Sequence, residues 1–153
     1  MRSRALLVGL ALAASVGTNA LAATFKLDDP GSQVVPPTAR WQWKKSLARE
    51  DLNALEMDVR VMVRIDTRAF AGRAGRVYMV LPADPGAPVS AEWQSQGRLL
   101  PGRLVSGERA VVFSGTLPGP FLEDTLQVRL SADARRMPED ARRFAFHFEF
   151  DTP

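Results

Sequence analysis

The chain has a single histidine, His147, and it stands two and four residues from Glu149 and Asp151. In an extended segment such a row shares one face, with neighbours about 6.5–7 Å apart. Imidazole and carboxylates together can ligate a metal ion, and a histidine beside a serine can generate a nucleophile. Neither chemistry is complete here. There is no second histidine and no cysteine, which removes thiolate zinc sites, iron–sulfur clusters, disulfides and cysteine nucleophiles. The nucleophile elbow Gly-x-Ser-x-Gly is absent. The row reads as a solvated strand face. Glu56 and Asp58 form a second carboxylate pair, the type used in glycoside hydrolysis. Arg60 and Arg64 share their face, so a mixed-charge surface is the better reading. Met57, Met62, Met79 and Met137 are scattered and suit core packing rather than copper. Gly72-Arg73-Ala74-Gly75 lacks the Lys-Ser/Thr ending of a phosphate loop. The expectation is a protein with no catalytic residue, no cofactor and no metal.

One segment stands apart. Pro36-Pro37-Thr38-Ala39-Arg40-Trp41-Gln42-Trp43-Lys44-Lys45 places two indoles among three cations. Aromatic rings with Arg and Lys suit protein partners, glycan rings or anionic surfaces. The competing reading is that Trp41 and Trp43 cap the core, since a large apolar ring is usually covered. The candidate contact set is Arg40, Trp41, Trp43, Lys44 and Lys45, with Tyr78 and Trp93 as further aromatics for a ligand.

The elements that must position these groups are strands. Leu55, Met57, Val59, Val61, Val63 and Ile65 alternate with Glu56, Asp58, Arg60, Met62, Arg64 and Asp66. A period of two is a half-buried strand. Residues 89–96 and 124–132 repeat it, and 76–81 is apolar on both faces, as a covered strand should be. Segments 99–105 and 109–114 flank Ser106-Gly107-Glu108 and predict a hairpin, with Pro101 confining the first to an edge. Phe144, Phe146, Phe148 and Phe150 line one face of the last strand, which belongs inside a sheet. Breakers at 69–75, 82–88, 118–120 and 133–143 separate the runs, and 46–54 has room for one helical turn. About seven or eight strands predict an all-β, antiparallel immunoglobulin-like β-sandwich. A small β-barrel is the alternative.

Residues 1–23 predict a signal peptide: Arg2 and Arg4, the apolar run Ala5–Ala14, then Ala20-Leu21-Ala22. Cleavage near Ala22/Ala23 leaves one domain, 24–153. It also removes two of 20 basic residues against 17 acidic ones. The mature chain is then near neutral, which argues against nucleic acid as a partner. No later apolar run is long enough to span a bilayer as a helix. The expected protein is periplasmic or secreted, non-enzymatic, and binds an envelope protein partner. The alternative is a small-ligand or glycan-binding module using exposed aromatics.

Overall fold

The computed structural model describes residues 22–45, 52–84, 86–136 and 146–153. Most of the expected signal peptide, Met137, Phe144, and the greater part of 46–54 and 133–143 lie outside them. The described residues form ten strands: β1 (Thr24–Leu27), β2 (Gln33–Val35), β3 (Gln42–Trp43), β4 (Ala54–Asp66), β5 (Ala74–Val80), β6 (Val89–Ser95), β7 (Gly102–Val105), β8 (Arg109–Thr116), β9 (Phe121–Asp133) and β10 (His147–Asp151). Among them there is no α-helix, and no helix long and apolar enough to cross a membrane.

The strands make two antiparallel sheets. One has the order β1-β10-β5-β8; the other has β2-β4-β9-β6-β7, with β3 also on β4. This is a β-sandwich and not a closed barrel. Its pairing is nested: β1 with β10, β4 with β9, β5 with β8, β6 with β7. An antiparallel ribbon doubled back at the β6–β7 turn and rolled into two layers gives this order, which is the jelly-roll form of the sandwich. The count exceeds seven or eight through β1, β2 and β3. These have four, three and two residues, too few for a period to register.

Alternation decides the faces. Val59, Val61, Val63 and Ile65 of β4 are buried, and so are Leu122, Leu126, Val128 and Leu130 of β9. They share one core with Val77, Met79, Phe148 and Phe150. Burial of such side chains is the main favourable term in folding. β10 lies inside its sheet, between β1 and β5, as its Phe row requires. Gly75 permits this: a Cβ there would run into the Asp151 carbonyl oxygen and the Phe150 ring.

The expected hairpin at 106–108 is not formed. The turn exists, with Gly107 at φ 90°, a conformation glycine adopts readily. Yet β7 pairs with β6 and β8 pairs with β5. The turn therefore carries the chain from one sheet to the other. It is held by Gly107 N donating to Leu81 O and Ser106 N donating to Val89 O. A local turn signal specifies the bend and not the partner of the strands beside it.

Candidate functional site

The groove of interest exists because one edge strand is broken. β2 and β3 lie on the same side of β4: Val35 is opposite Arg60, and Gln42 is opposite Glu56. Between them residues 36–41 are set against only 57–59 of β4. The surplus chain must leave the sheet. Pro36 and Pro37 fit this, because neither offers an N–H to a ladder. The excursion closes with Ala39 N donating to Pro36 O at 3.2 Å. Beyond β3 the chain is tied back by Lys44 N donating to Ala54 O at 2.9 Å.

The loop separates the two indoles. Trp41 is half-buried and packs with Ala39 and Met57 against the core. Trp43 is 63% exposed. Trp41 thus follows the capping expectation, while Trp43 is available for contact. Arg40, Lys44 and Lys45 are exposed beside it. These groups line an open groove of about 700 Å³ with Gln42, Glu56, Asp58 and Arg129. All five residues singled out from sequence touch the loop's cavities, but on two sides. Trp41 lines a neighbouring hollow of about 600 Å³ with Met57 and Arg40, and not the groove of Trp43.

Sequence reasoning missed Arg129 and Gln42. Arg129 comes from β9 and reaches the groove only because β9 pairs with β4 in the register Asp58↔Arg129. No local signal carries that pairing. Its Nε donates to Asp58 Oδ1 at 2.9 Å, and this bond raises the guanidinium pKa above its ordinary value. Lys44 Nζ stands 3.9 Å from Glu56 Oε1. Glu56 and Asp58 are therefore each committed to a cation, as expected of a mixed-charge face. The same row continues across the sheet: Asp58, Arg129, Glu92 and Arg103 stand opposite one another on four successive strands. A shallow depression of about 230 Å³ prolongs the groove onto this face, lined by Asp58, Arg129, Glu92, Gln94 and Gln127.

The other aromatics and the histidine lie elsewhere. Trp93 is 1% exposed, and its Nε1 donates to Leu100 O at 2.9 Å. Tyr78 is on the opposite sheet under the Arg109 guanidinium, 4.0 Å from the ring centroid. His147 Nε2 is 3.2 Å from Glu149 Oε1 on that same sheet. Arg109 bonds both Glu149 and Asp151, at 3.2 and 2.8 Å. Glu149 and Asp151 are thus both held by Arg109, and His147 is in contact with Glu149. Among the described residues no group of three or more His, Asp or Glu is placed to hold a metal.

Five of the seven large apolar side chains exposed among the described residues cluster near the broken edge. Val34 and Val35 are on β2, Trp43 on β3, Met62 on β4, and Leu52 just before β4.

No family model and no curated protein matches the chain. Among solved structures it is similar to the carbohydrate-binding module TmCBM61 in complex with beta-1,4-galactotriose, at 8% identity and a TM-score of 0.29, over 80% of this chain and 85% of that one.

Proposed function

We propose that this chain is an exported, non-catalytic binding module that takes a saccharide in the groove beside Trp43. The observation carrying this reading is an indole 63% exposed in a polar groove of about 700 Å³. A sugar ring has an apolar C–H face and a polar rim. An exposed indole offers a flat apolar surface at little entropic cost. Gln42 and the Asp58–Arg129 pair supply donors and acceptors for hydroxyls at its margin. The depression lined by Glu92, Gln94 and Gln127 gives room for a second ring. The carboxylates that could attempt hydrolysis are each paired with a cation, which supports binding over catalysis.

A protein partner of the envelope is the second reading. Val34, Val35 and Met62 favour it, as exposed apolar side chains on adjacent strands. Against strand addition by that partner, the open edge is short and interrupted by Pro36 and Pro37. Export fits the start of β1: Ala23 N donates to Thr152 Oγ1, and Thr152 N to Ala23 O. Cleavage after Ala22 keeps these bonds and cleavage after Ala23 removes them; the intact mass of the exported protein should show Ala23 or, failing that, Thr24 first.

The test is titration of the mature chain with a panel of soluble oligosaccharides, followed by tryptophan fluorescence. Binding should change the Trp43 emission. Trp43→Ala should abolish it with the thermal midpoint unmoved. A panel that binds nowhere, or binds Trp43→Ala equally well, would overturn the reading.

A further inference from the structure

We infer that the saccharide taken by the groove is acidic, its ring on Trp43 and its anionic group on Arg40 and Lys45. This rests on the saccharide reading above and adds the charge of the ligand. The groove holds four cations, Arg40, Lys44, Lys45 and Arg129, and two carboxylates, Glu56 and Asp58. Both carboxylates are already matched, Glu56 by Lys44 and Asp58 by Arg129. Arg40 and Lys45 make no ion pair among the described residues, so the described residues lining the groove carry two positive charges in excess.

The excess is localised. On the sheet face the row Asp58, Arg129, Glu92, Arg103 alternates in sign and is balanced. Arg40 precedes β3 in the loop and Lys45 follows it, so the two cations flank the indole along the groove. Arg60, the next outward residue of β4, faces Val35 and extends the positive field along the edge. A carboxylate suits this arrangement, since a guanidinium binds it through two parallel bonds and an ammonium adds a point charge. An acidic peptide would meet the same charges. It would find two short strand fragments broken by Pro36 and Pro37 in place of a continuous ladder, and one ring platform in place of successive side-chain pockets. The geometry suits a charged ring on the indole, with room for a further ring on the sheet face.

The experiment titrates the mature chain by calorimetry with short oligouronates of galacturonic, glucuronic and mannuronic type, each beside its methyl ester. The ester keeps the rings and removes the charge. At least one acid should bind about tenfold or more tightly than its ester, as a charge-assisted hydrogen bond implies. That advantage should shrink as salt rises. Arg40→Ala with Lys45→Ala should erase it while leaving ester binding intact, and Trp43→Ala should abolish both. Both cationic positions are exposed, so thermal midpoints should confirm folded variants. Acid and ester binding equally would overturn the charge assignment and leave the saccharide reading standing. Failure of every acid and ester would overturn the acidic assignment, and the saccharide reading falls with it only if the wider oligosaccharide panel fails as well. A hexaglutamate peptide that binds as tightly as the best oligouronate would show a site for polyanions and overturn the sugar assignment.

Discussion

Three indoles in one small domain do three different things, and the register of single residues decides which. Trp93 points inward from β6, is 1% exposed and satisfies its one donor on Leu100 O. Its ring occupies space beside Gly102, where a Cβ would stand 2.8 Å from it. Trp41 leans on the core from the loop. Trp43, two residues on, is mostly exposed and lines the groove from β3. Trp93→Ala should cost about 3–5 kcal/mol, through lost burial and a residual cavity. Trp43→Ala should stay within about 0.5 kcal/mol, since most of that ring is already in water. Denaturant melts of the two variants check this. Equal costs would mean that Trp43 packs on something and is not a free platform. At this scale the composition of the site is legible from sequence: aromatics and cations between Pro36 and Lys45. The division of labour is not, because it depends on which side of a six-residue excursion each ring emerges.

At the scale of elements, the long strands are readable and the short ones are not. Thirteen residues of β4 and thirteen of β9 repeat apolar and polar positions often enough to fix strand and face together. β2 and β3, which build the groove, are defined only by pairing with β4. The same holds for the network on the other sheet. Arg109 of β8 reaches over Tyr78 of β5 to Glu149 and Asp151 of β10, stapling three strands. Arg109, and then Thr24 through a 2.6 Å bond, hold the Asp151 carboxyl below its ordinary pKa. Because the folded value is depressed, the ionised carboxylate stabilises the fold above its unfolded value of about 3.9. That contribution disappears as pH falls through the lower folded value. Solvent screens the pair, since Arg109 is 41% exposed, so its worth is at most about 1 kcal/mol. Asp151→Asn should therefore lower the thermal midpoint slightly at pH 7, and the gap to the parent should close below about pH 4. A gap that persists unchanged at pH 3 would place the effect of the substitution in packing and not in charge.

Across the whole molecule, nested pairing concentrates stability at the centre of the ribbon and leaves the groove at its margin. β4 and β9 pair over their full length, and β9 is covered on its other side by β6. Their inward residues Val63, Ile65, Leu122, Leu126 and Leu130 are almost wholly buried. Opening these strands means dismantling their sheet and the core it shares with the other, so their amides should exchange only through global unfolding, at about 5–15 kcal/mol for a domain of this kind. β2 and β3 have three and two residues, one neighbour each, and no residue that is buried. Their amides should exchange through local opening, orders of magnitude sooner. The proposed ligand contacts the second of these fragments and the loop before it. Its binding energy is therefore available to hold that fragment closed. Hydrogen exchange read by mass spectrometry should show the segment 36–45 slowing in the presence of a bound saccharide, with 59–65 and 122–130 unchanged at short times. Slowing confined to β2, around Val34 and Val35, would instead place the saccharide at the apolar edge and overturn the Trp43 groove as its site. Slow exchange of 36–45 without any ligand would mean that the fragment is held by the fold alone, and the groove would then be a rigid feature that binding does not need to organise.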